Sequence, residues 1–385
     1  MINETRLRDL LLALCSIDSE SREEREVALH LKGVMESIGA QVEIDGAGEA
    51  VGGNTGNVIC RIPANSPDAP PIFLAAHMDT VVPGKGVSPV LEGNIIRSNG
   101  KTALGGDDKS GCAIIAEVCQ VMVEQNLPHG GIEAVFTICE EVGLLGAKYL
   151  DVSKLKSKYG LVLDSDDIGF LFTQAPASDK MKWTIYGLEA HAAMAPEQGM
   201  SAIKIASEAI ANMKLGRVNK QTVANVGSIH GGGPDNVVPN RVVVTAEARS
   251  LSVEGLDAQT RHMDECFREA ASRYKVTING VEKAARVETE IHREYDTMNV
   301  SADSTIVKLV LEAANNLHHK VETLSMMGGC DANVLNRKGL ESANLGTGMR
   351  AIHTVNEWLD LNDLYKSAGV VLEIVRLNGL VKAQA

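Results

Sequence analysis

The chain has 385 residues, 44% hydrophobic and 23% charged, a composition that builds ordinary globular cores and excludes intrinsic disorder. Its length favours two domains over one, and no apolar run approaches the roughly 20 residues of a membrane-spanning helix. Lys and Arg number 37 against 50 Asp and Glu, a net charge of -13. That balance argues against partners rich in phosphate, so no nucleic acid and no anionic membrane surface, and it suits cations such as metals and free amines.

Aromatic residues make up only 3%, so the core must rest on aliphatic side chains. Leu7, Leu10, Leu11 and Leu14 share one helical face. The apolar run 10–15 is shorter than the roughly 7–15 residues of a signal h-region, and Glu4 and Asp9 precede it. Seven scattered cysteines without a CxxC pair read as buried free thiols in a reducing compartment, which makes the expected location cytoplasmic. Ser21 with Glu24 reads as a capping box for a helix whose stripe is Val27, Leu31, Val34, Met35 and Ile38. Strands are expected over 41–44, 57–62 and 72–77, then a helix over 110–124, a strand over 132–138, a short helix near 144–150 and a strand over 160–163. Strands alternating with helices indicate an α/β layered sheet.

The pattern changes after about residue 177. Met181, Trp183 and Ile185 alternate with Lys182, Thr184 and Tyr186, as in a half-exposed strand. A helix carrying Ala202, Ala206, Ala209, Ile210 and Met213 follows, then a strand over 241–250, a helix over 257–273 and a strand over 275–279. That order suits a small open sheet with helices on one side. From about residue 303 the α/β character returns. The expected organisation is therefore a main domain of residues 1–177 and 298–385 with a small domain, 178–297, inserted into it.

Chemistry-bearing residues gather at strand ends. The apolar strand at 72–77 closes in His77-Met78-Asp79. Residues two apart in a strand face the same side, so Asp79 can reach the His77 region and fix its ring, as carboxylates do beside metal-bound imidazoles. Read alone, the tripeptide is equally a strand-end His beside a solvated Asp. Gly105-Gly106-Asp107-Asp108 precedes a helix; an acidic N-cap explains one of these acids better than two. Glu140 and Glu141 follow the strand at 132–138, and Asp164 follows the one at 160–163. Carboxylates at buried strand ends are costly unless a cation awaits them, and this edge of an α/β sheet is where ligands bind. Histidine with carboxylates and no paired cysteine suits two divalent metals of the zinc type. Such a pair, about 3.5–4 Å apart, needs a bridging carboxylate. His353 offers the second imidazole, although read alone it is a surface histidine.

Taken together, His-x-Asp, Gly-x-Asp-Asp-Lys-x-Gly at 105–111, Glu-Glu-Val-Gly at 140–143, Asp164 and the late His353 resemble the dinuclear zinc peptidases of the aminoacylase and carboxypeptidase type, and within them the peptidase T branch. The resemblance covers nearly the whole chain. It implies an α/β catalytic domain with a mixed central sheet flanked by helices, plus an inserted α+β, ferredoxin-like lid and dimerisation domain. It implies two Zn²⁺ per subunit, with Co²⁺ or Mn²⁺ as substitutes, held by His77, Asp107, Glu141, Asp164 and His353, with Asp107 bridging. Glu140 would be the general base and Asp79 the partner of His77. The residues alone leave Glu140 and Glu141 interchangeable. On the inserted domain, His191 would stabilise the oxyanion in the other subunit's site, although Ala192-Ala193 replaces the family's Pro-Gly after it. Asn236 would hold substrate, and Arg249, beside Val243, Thr245 and Glu247 on one strand face, would grip its C-terminal carboxylate. The implied activity is tripeptide aminopeptidase on short peptide substrates, in a homodimer built through the inserted domain. The half-exposed strand around Trp183 is the expected edge for it. The alternatives are an N-acyl amino acid deacylase or carboxypeptidase of the same family, and a metal-bound peptide-binding protein without catalysis.

Overall fold

The segment Ile-Phe-Leu-Ala-Ala-His has no polar alternation, and it forms a strand buried along its whole length, Ile72–His77. Ile132–Thr137 is buried likewise. Continuous burial is what a strand covered on both faces needs. In the computed structural model, which describes residues 1–381, these two strands run parallel, with Tyr159–Val162 parallel on the other side of Ile72–His77. They occupy the middle of a nine-stranded sheet. Val58–Ile62 pairs antiparallel with Ile132–Thr137 and with Gln41–Ile44. Glu341–Leu345 runs parallel to Tyr159–Val162 and antiparallel to Phe170–Ala175. The sheet is therefore mixed. Its three parallel central strands end at one edge, so the loops that leave them are neighbours.

Helices flank this sheet. Gly106–Glu124 is buried over nearly all its length and packs on Ile72–His77, with Glu4–Cys15, Arg25–Ser37 and Leu361–Asn378 around it. A four-stranded sheet stands apart, in the order Met349–Arg350, Trp358–Asp360, Ile95–Arg97, Val90–Glu92. Its first two strands form a hairpin whose loop carries His353 and Glu357. The capping box expected at Ser21 and Glu24 does not form. The helix begins at Arg25 without a side-chain cap. The Ser21 hydroxyl donates to Asp79 instead, and Glu24 accepts from the N–H groups of Arg22 and Cys139. Tertiary donors and acceptors take both side chains from the local cap.

The chain divides into two compact units: Met1–Gln174 with Met298–Met326 and Cys330–Ala385, and Ala175–Thr297 with Met327–Gly329. In the second, five strands lie antiparallel in the order Gly216–Arg217, Thr222–Gly231, Arg241–Ser250, Ala177–Tyr186, Arg286–Tyr295. Met181, Trp183 and Ile185 pack with Ala202, Ile205, Ala206, Met263 and Phe267 of two helices, Ala202–Asn212 and Val253–Ser272. The Trp183 and Phe267 rings stand 4.6 Å apart. Two expectations are corrected here. Ala177–Tyr186 is paired on both sides and is not an edge. Residues 275–278 form a separate hairpin with Val281–Ala284, and the sheet's edge is Arg286–Tyr295. That strand is rich in charge, as exposed edges are, so apolar alternation did not reveal it.

The start of the long helix Gly106–Glu124 is set by contact with the strand end before Asp164. A Cβ on Gly111 would lie 2.4 Å from the Leu163 carbonyl oxygen and 2.6 Å from Asp108 Oδ1. Gly111→Ala must push helix from sheet, and is expected to cost about 1–3 kcal/mol of stability. Urea unfolding would register this as a lower midpoint at unchanged m-value.

Candidate metal centre

Each side chain of the cluster reaches it by a distinct local device. His77 is the last residue of its strand. Cys139 adopts φ 52° and Leu144 φ 58°, turning the chain sharply after Ile132–Thr137 so that Glu140 and Glu141 leave one tight turn. Asp107 has non-helical dihedrals, φ -80° and ψ 104°, inside the first turn of its helix. Asp164 follows the third strand, and Asn344 brackets it, donating Nδ2–H to its carbonyl at 2.6 Å and accepting its N–H at 3.0 Å. His353 sits at φ 61° in the hairpin loop.

These residues converge. His77 Nε2 lies 3.1 Å from Asp107 Oδ1 and 3.8 Å from Asp164 Oδ1. His353 Nε2 lies 3.1 Å from Asp107 Oδ2 and 3.1 Å from Glu141 Oε1. Asp107 thus stands between the two imidazoles with one oxygen toward each. Three groups place their donor atoms within 4.8 Å of one another: His77 with Asp107 and Asp164, His77 with Glu140 and Glu141, and Asp107 with Glu141 and His353. Asp79 has a wider task than orienting a ring. Its Oδ1 accepts the Glu140 N–H at 2.8 Å, and its Oδ2 accepts the Glu141 N–H at 3.2 Å and the Ser21 hydroxyl at 2.6 Å. The His77 Nδ1 partner is the Asp79 carbonyl oxygen at 2.8 Å, with the carboxylate at 3.5 Å.

Electrostatics mark the cluster as built for a cation. Burial pushes the carboxyls of Glu140 and Asp164 well up, and neighbouring acids push them further: Asp164, Asp331 and Glu141 on Glu140, and Asp107, Glu141 and Asp331 on Asp164. Burial opposes the charged form of His77, but hydrogen bonds to Asp107 and Asp79 and the field of Glu140 and Asp164 outweigh it, and its pKa is raised well above the usual value. Hydrogen bonds to Asp107 and Glu141 raise His353 to about 10. Burial would raise Asp107, yet the two imidazoles hold it below the usual carboxylate range. Asp331, buried with Oδ1 unpartnered, is pushed up to about 6 by burial. Imidazole nitrogens and carboxylate oxygens without thiolate fit divalent metals of the zinc type.

Three of the expected residues lie on the second unit. The ring Nδ1 of His191 accepts the N–H groups of Ala193 and Met194 at 3.2 Å each, so the Ala-Ala sequence makes a closed turn. His191 bridges to Val237, and Ala192 donates to the Asn236 carbonyl, which sets the His191 and Asn236 loops side by side. Arg249 donates to Glu247 at 3.2 Å, and its Nε, shielded from solvent, has no hydrogen-bond partner among the described residues. Sequence reasoning gave Ser21 and Glu24 a helix-capping role only, and passed over Asn344 and Glu357. Their partners are distant in the chain and no spacing announces them.

The model of peptidase family M20/M25/M40 matches residues 73–377. The chain belongs to this family of peptide-bond hydrolases. Protein YqjE of Bacillus subtilis (strain 168) is 39% identical over 97% of this chain and 99% of its own. The crystal structure of aminopeptidase PepT from Bacillus cereus ATCC 10987 is 37% identical, with a TM-score of 0.90 over 99% of this chain and 100% of its own. A tripeptidase from Staphylococcus aureus subsp. aureus Mu50 is 37% identical, with a TM-score of 0.93 over the same shares. Among the described residues no helix is long and apolar enough to cross a membrane.

The shifts of this peptidase fix a pH dependence for the metal-free chain. Asp331, moved from 3.8 to about 6, favours the folded state fully below 3.8 and loses that contribution as pH rises to about 6. His353, moved from 6.5 to about 10, loses its contribution as pH rises from 6.5 to 10. Glu140, Asp164 and His77, all raised, act in the same direction. Metal-free stability is therefore expected to fall between about pH 5 and pH 9, and a divalent cation to flatten that fall by binding the folded state. Urea titrations across this range, with and without cation, test it; metal-free stability that rises with pH contradicts it.

Proposed function

We propose that this M20-family peptidase is a two-metal aminopeptidase that acts on short peptides, tripeptides foremost. The observation that carries this reading is the convergence of His77, Asp107, Glu141, Asp164 and His353 from five separate segments of the chain. They are the proposed ligands of two zinc ions, with Asp107 as the bridge, and cobalt or manganese as substitutes. The likeness to structures described as an aminopeptidase and a tripeptidase, at 37% identity, supports the substrate class. All seven cysteines are free and buried, which supports a cytoplasmic location.

Two divalent cations held there would supply Lewis acidity to the scissile carbonyl and bring a water's pKa toward neutral. Glu140 is the base: it takes the proton of the attacking water and returns it to the leaving amine. The Asp79 clasp on the backbone of Glu140 and Glu141 keeps that carboxylate in place without consuming its oxygens. His191 would stabilise the oxyanion in the other subunit's site, Asn236 would hold the substrate backbone, and the Arg249 guanidinium would receive the terminal carboxylate. We infer that the second unit also carries the homodimer contact.

Glu140→Gln is expected to keep both metals and lose kcat by about 10²- to 10⁴-fold on Ala-Ala-Ala, and near wild-type turnover would refute the base assignment. Arg249→Ala should raise KM more than it lowers kcat, because it removes binding shared by ground and transition states. Turnover of zinc-loaded protein on di-, tri- and tetrapeptides beside N-acetyl amino acids tests the substrate class. Preference for the acylated amino acids would replace this reading with a deacylase.

A further inference from the structure

Glu357 is 1% exposed, yet it is an acid, and it touches none of the cluster's side chains as a ligand would. Its Oε2 accepts the N–H of Leu104 at 2.7 Å and of Gly105 at 2.9 Å, and its Oε1 accepts the N–H of Asp107 at 2.9 Å. Its own carbonyl oxygen accepts the Ser98 N–H at 2.9 Å. Successive N–H groups turned to one point make an anion cradle, and here the chain fills that cradle with its own carboxylate. The glycines fit this close approach. Gly105 has φ +74°, and a Cβ on Gly106 would stand 3.1 Å from Glu357 Oε1.

The two ends of this clasp both lead to the cluster. Asp107 belongs to the cradle loop, and His353 lies four residues before Glu357 in the same hairpin loop. Asp107 and His353 meet at 3.1 Å, although 246 positions separate them. Glu357 joins the backbones that deliver them. We propose that Glu357 is a positioning residue that sets Asp107 against His353, so that the affinity and geometry of the metal pair depend on a carboxylate that touches neither metal nor substrate. This rests on the two-cation reading above. A glutamine offers one acceptor oxygen where three N–H groups need two, and an alanine leaves all three buried and unpaired. An alanine also leaves a cradle shaped for a small carboxylate.

The test uses the full chain, stripped of metal, as wild type, Glu357→Ala and Glu357→Gln. Cobalt is titrated by calorimetry and by its visible absorption, which reports ligand geometry, and turnover is read on Ala-Ala-Ala. Both variants are expected to bind cobalt roughly 10- to 100-fold more weakly, the usual range for groups that orient metal ligands. Their cobalt spectra should be altered and kcat should fall further than KM changes. Acetate should restore affinity and kcat to Glu357→Ala and not to Glu357→Gln, whose cradle stays filled. Affinity, spectrum and kcat within about twofold of wild type, the spread of substitutions that touch nothing, would overturn the proposal. So would a Glu357→Ala defect that acetate does not relieve, and so would failure of both variants to fold, which would make Glu357 a brace of the whole unit. A wild-type chain that binds no cobalt would sink the two-cation reading instead.

Discussion

Mutual repulsion among buried carboxylates is the constraint on which the first unit is arranged. Asp79, Asp107, Asp108, Glu140 and Asp331 are all buried, and Glu141 and Asp164 join them at the same sheet edge. An isolated buried carboxylate costs several kcal/mol, so this many in one place can persist only if each has a source of positive charge. The chain supplies one source of its own, backbone N–H groups. Asp79 takes those of Glu140 and Glu141, Asp108 those of His77 and Gly111, Glu24 that of Cys139, and Glu357 three more. These acids are anchored from within by main-chain amides and act as braces.

The others are left facing inward. Asp107 faces the imidazoles of His77 and His353, Glu141 that of His353, and Asp164 that of His77 at 3.8 Å. Their pKa values move in opposite directions: down for Asp107, between two imidazoles, and up for Glu140, Glu141 and Asp164. Groups forced apart in this way are the signature of a functional site. The bracing acids and the inward-facing acids look alike in composition, and only the direction of their hydrogen bonds separates them.

That distinction explains what the sequence disclosed. The α/β core was legible because apolar runs such as 72–77 and 132–137 admit one interpretation, a strand covered on both faces. The cluster was legible because each of those strands ends in His or is followed within three residues by Glu, and parallel strands put such ends side by side. The same local reasoning failed where distant partners decide. Ser21 and Glu24 have the spacing of a capping box, but Asp79 and Cys139 claim them. Trp183 alternates as an edge strand would, but Arg286–Tyr295 covers its free side, and that strand's charged residues hid it. Glu357 stood in plain view beside His353 and carried no signal, because its three partners lie 250 to 253 residues away.

The turn at 139–141 shows how such braces create function from near-identical residues. Glu140 and Glu141 are adjacent acids, and sequence alone cannot rank them. Cys139, in the left-handed region and held by Glu24, fixes the direction in which the turn leaves the strand. Asp79 then takes the N–H groups of both glutamates on one carboxylate. With both backbones anchored to a single point, the two side chains cannot exchange places. Glu141 faces His353 at 3.1 Å, whereas Glu140 is buried beside His77, Asp164 and Asp331; burial raises both carboxyls, and only Glu141 has an imidazole hydrogen bond that opposes the rise. The inequality between them comes from hydrogen bonds to their amides, so it belongs to the fold as much as to the site.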